Sequence, residues 1–294
     1  MTTTLISAAE LAGCLNSPEL RVFDVRHDLM DHAAGRRAYE QGHIPGARYL
    51  DHETELAAPR TGKNGRHPLP TREALAALFT AHGVGPDTLV VAYDASGGMY
   101  AAHLWWMLRW LGHERVAVLD GGWQAWNAAG LPTSTEGVPP VDATGVAGAY
   151  AEQTENASLL GQPLMETVDA DAVLANIAAP AFTVVDARAA NRYRGEVEPM
   201  DPVAGHIPGA LNRPNGENLQ ADGRFKDAAQ LRAEFAVLLG ERDPAAIVHQ
   251  CGSGITACHN LLAMEVAGLA GSRLYPGSWS EWCSDPSRPV ARHA

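Results

Sequence analysis

Short apolar runs alternate with longer amphipathic ones along this chain. RVFDV (21–25), TLVVAYD (88–94) and RVAVLD (115–120) are β-branched at their centres and predict buried strands. Between and after them, TREALAALFTAHG (71–83), MYAAHLWWMLRWLG (99–112) and QAWNAAG (124–130) carry apolar residues at helical spacing. The second half reads the same way. Strands are predicted over FTVVDA (182–187), AAIVHQ (245–250) and SRLYPG (272–277), and helices over AAQLRAEFAVLLG (228–240) and TACHNLLAMEVAGL (256–269). Alternation at this spacing means parallel strands with helices on both faces, so the fold class is α/β. Residues 132–163 are rich in Pro, Gly, Ser and Thr and have no helical period. The predicted division is a first domain over 1–135, a linker over 136–165 and a second domain over 166–294.

The two halves also repeat one another. Val22-Phe-Asp-Val-Arg26 returns as Val184-Val-Asp-Ala-Arg188, and Gly42-His-Ile-Pro-Gly-Ala47 returns unchanged as Gly205-His-Ile-Pro-Gly-Ala210. The strand ending at Asp94 lines up with the one leading to Cys251, and the tryptophan pair Trp123 and Trp126 with Trp279 and Trp282. The order is the same at offsets of about 160 residues, which makes duplication of a domain the economical explanation. Ligands of such sheets bind beyond the carboxyl ends of the strands, where Asp94 and Cys251 both fall.

Charge and composition narrow the classes of function. The chain of 294 residues is 46% hydrophobic with a mean hydropathy of −0.15, as expected of a soluble globular protein. Its net charge of −12 argues against nucleic acid and anionic membranes as partners. An anionic substrate would need local Arg or backbone donors. No apolar stretch is long enough to span a bilayer, and the first residues lack a basic secretory n-region. Four scattered cysteines (14, 251, 258, 283) form no disulfide framework, so the expected compartment is the reducing cytoplasm.

Cys251 stands between a predicted strand and a predicted helix, in a loop with glycines at 252 and 254. That place offers unpaired N–H groups and the positive end of a helix dipole, both of which favour a thiolate. Glycines let the loop curl several N–H groups onto one atom. The alternative is a structural cysteine followed by a turn. The nucleophile reading requires a sulfur held by several amides and open to solvent.

These features together resemble the two-domain rhodanese-like sulfurtransferases, from about Leu5 to about Pro289. The marks are the paired GHIPGA segments, the Asp-x-Arg strands, the loop Cys251-Gly-Ser-Gly-Ile-Thr256 and the tail LYPGSWSEW. The resemblance implies two tandem rhodanese-like domains, with a catalytic cysteine in the second alone. It implies a persulfide on Cys251, cradled by N–H groups of Gly252, Ser253, Gly254, Ile255 and Thr256. The sulfur would come from a small anionic donor and pass to cyanide or a thiol, with a thioredoxin-like protein among the acceptors. No cofactor and no metal are implied. Cys-Gly-Ser-Gly is similar to the 3-mercaptopyruvate type, whereas the thiosulfate type carries an Arg-Lys pair after the cysteine. In the former type Ser253 would work with His67 and Glu53, with Asp51 as a rival carboxylate. Arg192 matches the anion-binding arginine of the family. The segment that commonly carries a second arginine, Glu196–Pro202, has none, and Arg194 is the nearby substitute.

Other polar residues read as structural. His43 and His206 occur in both halves, one without a cysteine, and so predict turn-shaping. Asp24 and Asp186 are expected to pair with the following arginine. His249, Cys251, Cys258 and His259 match no common zinc spacing, and Cys258 is expected in the core, with a resolving thiol as the other reading. A tyrosine or arsenate-type phosphatase would need an arginine about six residues after the cysteine, where Ala257 and Cys258 stand. A non-catalytic sulfur carrier or regulatory module is the remaining alternative.

Overall fold

The computed structural model describes residues 4–138 and 159–292, so much of the expected linker lies outside the described residues. The chain divides into two compact units, one of residues 1–57 and 70–164, the other of 58–69 and 165–294. The short segment 58–69 thus packs with the second unit although it precedes most of the first.

The first unit runs β1 (Leu5–Ile6), α1 (Ala8–Cys14), β2 (Leu20–Asp24), α2 (Ala34–Gln41), β3 (Arg48–Tyr49), α3 (Arg72–Ala81), β4 (Leu89–Tyr93), α4 (Met99–Leu111), β5 (Val116–Leu119) and α5 (Gly122–Ala128). Its five strands pair in parallel in the order β1-β5-β4-β2-β3. The second unit runs α6 (Ala170–Ala178), β6 (Thr183–Asp186), α7 (Ala190–Tyr193), β7 (Leu211–Asn212), α8 (Ala228–Leu239), β8 (Ile247–Gln250), α9 (Ile255–Val266), β9 (Arg273–Leu274) and α10 (Ser278–Trp282). Its four strands are parallel in the order β7-β6-β8-β9. Each sheet is flanked by helices, as the alternating pattern predicts.

Several helices begin where a side chain takes an otherwise unpaired N–H. Ser7 and Glu10 form a reciprocal capping box on α1, and Thr71, Asp169 and Asp227 cap α3, α6 and α8. Two boundaries differ from the sequence pattern. Strand β8 starts at Ile247 because Pro244 opens a short 3-10 turn, whose N–H at Ala245 donates to Asp243. Helix α9 starts at Ile255, one residue earlier than predicted, because Gly254 turns the chain at φ 93°.

The duplication is visible in detail. Arg26 donates to the Asp24 carboxylate and to the Gly42 carbonyl at 2.7 Å, and its guanidinium lies 4.6 Å from the Trp123 ring centre. Arg188 does the same with Asp186, the Gly205 carbonyl (2.7 Å) and Trp279 (4.6 Å). His43 stacks on Tyr39 and lies 2.7 Å by Nδ1 from its carbonyl, and His206 repeats this with Tyr193. These buried groups brace the turns they stand in, which fits the structural reading of both motifs.

Candidate active site

Strand β8 delivers Cys251 to the carboxyl edge of the second sheet, and α9 starts four residues later. Gly254 makes the tight turn between them. A side chain there would strike the Pro276 carbonyl at 2.6 Å, besides the positive φ. This turn aims the Gly254 N–H at the Cys251 Sγ, 3.2 Å away.

The loop is fixed from behind by residues 275–280. The Cys251 N–H donates to Ser278 Oγ at 3.1 Å, and the Ser278 hydroxyl donates to the Tyr275 carbonyl at 2.9 Å. The N–H groups of Trp279 and Ser280 donate to the carbonyls of Cys251 (3.0 Å) and Gly252 (2.9 Å). Ser278 has φ 53°, the one positive φ outside glycine among the described residues. Such a conformation is costly for a side chain, and its hydroxyl bridge rewards it here.

The sulfur differs from the expectation of an open thiolate ringed by amides. Cys251 is 2% exposed, and the amide directed at its Sγ is that of Gly254. A Cβ built on Gly252 would lie 2.7 Å from Arg66 Nη2 and 3.7 Å from Arg192 Nη1, so two guanidinium groups lie over the loop. Gly252, Ser253, Gly254 and Ile255 are buried and Thr256 is half-buried.

Ser253 is 8% exposed, and its Oγ lies 2.8 Å from Nδ1 of His67, itself 3% exposed. Segment 58–69, which carries His67, is anchored in the same unit by the Arg66 N–H, which donates to Ser280 Oγ at 3.0 Å. Ser253 and His67, 186 positions apart and paired only by the resemblance, are therefore hydrogen-bonded.

The cations form a network with buried carboxylates. Arg192 donates to Glu198 at 2.6 Å and lies 3.5 Å from Asp201. Arg66 pairs with the same Asp201, and Arg188 reaches Glu198 at 3.3 Å. Arg194 instead pairs with Glu196 at 2.6 Å and is 40% exposed by its side chain. The second guanidinium beside Gly252 is thus that of Arg66, which sequence reasoning passed over although it adjoins His67. Ser278, Glu198 and Asp201 were passed over as well, because only tertiary contact relates them to the cysteine.

Glu53 belongs to the first unit, where its Oε1 lies 3.7 Å from His27 Nε2 and 3.5 Å from His32 Nδ1. Asp51, the rival carboxylate, accepts the N–H groups of Glu53 (2.8 Å) and Thr54 (3.1 Å) and so shapes a local turn. Cys258 is fully buried in α9, its thiol donates to the Gly254 carbonyl at 3.3 Å, and burial, then the neighbouring Cys251, pushes its pKa upward. That thiol is core. His249 is fully buried in β8, and burial pushes it down to about 3. His259 stacks on Phe225.

At the equivalent place in the first unit the side chain is Asp94. Its carboxylate accepts four N–H groups, from Ser96 (2.8 Å), Gly98 (2.9 Å), Tyr100 (2.7 Å) and Ala101 (2.9 Å). The anion-holding loop is therefore built in both halves, and in the first it is filled by the chain's own carboxylate.

A cysteine on such a loop, backed by this repeated fold, defines a class. The rhodanese-like domain model matches residues 7–129 and again 169–285, and the chain belongs to that family, with two tandem copies. It is 46% identical over 291 residues to the "Probable 3-mercaptopyruvate sulfurtransferase" of Pseudomonas aeruginosa, covering 98% of this chain and 97% of that one. It is 39% identical over 292 residues to the "Putative thiosulfate sulfurtransferase SseB" of Mycobacterium tuberculosis, covering 98% and 96%. The crystal structure of SseA from Escherichia coli, a 3-mercaptopyruvate sulfotransferase by its description, superposes with a TM-score of 0.76 at 30% identity over 95% of this chain and 99% of that one. The relatives are sulfurtransferases whose names divide between two donors.

Among the described residues no helix is long and apolar enough to cross a membrane.

Proposed function

We propose that this chain transfers a sulfane sulfur from 3-mercaptopyruvate to cyanide or a thiol through a persulfide on Cys251. The observation that carries the reading is the hydrogen bond between His67 and Ser253, which shares its loop with Cys251. The Cys251 thiolate attacks the donor sulfur, the carbon–sulfur bond breaks, and the electron pair leaves with the carbon as an enolate. The proton of the donor thiol passes through Ser253 and His67 to that carbon. The products are pyruvate and the Cys251 persulfide anion. Attack on the outer sulfur by cyanide or a thiolate returns the Cys251 thiolate. The Gly254 N–H already on Sγ, with its neighbours on the loop, supports stabilisation of the anionic sulfur.

The charge balance favours a donor with one carboxylate. Arg66 and Arg192 are matched by Glu198 and Asp201, so the four groups sum to zero. A guanidinium pair of this kind can turn its free donors to one carboxylate. A dianion such as thiosulfate finds no net positive charge. Arg66 takes the role of second cation that Arg194 was expected to fill. The relay is proposed for Ser253 and His67. We place the reaction in the cytoplasm, with a thioredoxin-like thiol among the acceptors, on the cysteine usage and the resemblance.

The test is kcat/KM for the two donors side by side, with cyanide as acceptor. Mercaptopyruvate is expected to be ahead by at least ~10-fold. A lead for thiosulfate would overturn the donor and keep the persulfide chemistry.

A further inference from the structure

The first unit has no cysteine at its sheet edge, yet it gathers histidines there. His27 follows β2, His32 lies in the next loop and Glu53 follows β3. Among the described residues they are the trio of His, Cys, Asp or Glu side chains whose ligand atoms all lie within 4.8 Å of one another. Glu53 Oε1 stands 3.7 Å from His27 Nε2 and 3.5 Å from His32 Nδ1. These gaps are too long for hydrogen bonds. They fit ligands on one ion, since bonds of about 2.0–2.2 Å at near-tetrahedral angles separate donor atoms by roughly 3.5 Å.

His27 supplies the independent observation. Its side chain is wholly buried, and neither ring nitrogen has a hydrogen-bond partner. The ring is held in place by an edge contact with Tyr100 at 5.2 Å and lies 5.7 Å from His52. His32 is 57% exposed by its side chain, which leaves a route for an ion and freedom to close on it.

We propose that His27, His32 and Glu53 form a binding site for a divalent transition ion of the zinc class, with three protein ligands and an open fourth position. Two imidazoles and one carboxylate suit such ions over calcium or magnesium, which prefer all-oxygen shells. All three ligands lie in the first unit, whereas Cys251 lies in the second.

Cobalt(II) titration of the full-length Cys251→Ser chain, in which the reactive thiolate cannot compete, reads the site directly by visible absorption. Saturable bands that zinc displaces are expected, with no thiolate charge-transfer band. Glu53→Gln and His32→Ala are each expected to weaken cobalt binding by at least ~10-fold. His32 is exposed, so His32→Ala should melt like its parent without metal, and a zinc-dependent rise in melting temperature should be seen in the parent alone. No saturable binding, or binding that both substitutions leave unchanged, would overturn the proposal.

Discussion

The Oγ of Ser253 and Nδ1 of His67 lie 2.8 Å apart, one on the loop that carries Cys251 and the other in a segment placed 186 residues earlier. Both are nearly excluded from solvent, where a hydroxyl–imidazole pair moves protons without competition from water. If this pair serves the donor thiol, Ser253→Ala and His67→Gln should lower kcat with mercaptopyruvate by ~100-fold or more. Thiosulfate has no thiol proton, so its turnover should fall much less. Steady-state rates with both donors check this, and equal losses would remove the relay.

Arg66 should govern donor affinity. Its guanidinium flanks Gly252 together with that of Arg192, while Arg194 is held by Glu196 at the surface. Arg66→Met is expected to raise the KM for mercaptopyruvate by ~10-fold or more with a smaller change in kcat, and Arg66→Lys to recover part of it. Arg194→Met should leave both constants near those of the parent. The reverse ranking would return the second-cation role to Arg194.

Ser278 ties the backbone of the nucleophile to the rest of the unit. Ser278→Ala keeps the left-handed conformation and loses the acceptor for the buried Cys251 N–H. The expected loss is ~1–3 kcal/mol of unfolding free energy, read from chemical denaturation. Ser278→Gly relieves the backbone at the same site and should be less destabilised than Ser278→Ala.

Acid should weaken the second unit through His249. Burial sets its folded pKa at about 3, against an ordinary value of 6.5. As pH falls below 6.5 the unfolded chain takes the proton and the folded chain does not, so stability declines until pH reaches about 3. His249→Leu has no such proton to gain. Its melting temperature should fall less than that of the parent between pH 6.5 and the acid end of that window.

Much of the fold was legible because it is written twice. The GHIPGA turns, the Asp-x-Arg strands and the paired tryptophans mark the same places in both halves, and the Asp–Arg–carbonyl and His–Tyr contacts recur in each copy. Alignment of Asp94 with Cys251 foresaw that the first half lacks a nucleophile. That its carboxylate would gather four loop amides was not visible, since backbone direction leaves no composition signal. Short elements such as β1, α1 and α2 escaped the pattern because two to eight residues hold too little periodicity. Ser253 and His67 came from the resemblance, and residue spacing alone could not join them. Arg66, Ser278 and the His27–His32–Glu53 group needed the tertiary structure, since each depends on segments that meet only after folding.

The central claim is that one sulfur, that of Cys251, carries the transferred atom. Mass spectrometry of the chain after mercaptopyruvate without acceptor tests it most directly. The Cys251 peptide should be heavier by one sulfur atom, lose it on addition of cyanide, and stay unmodified in Cys251→Ser, which should have no turnover above background. An unmodified Cys251 peptide in the active parent, or turnover in Cys251→Ser, would contradict the account.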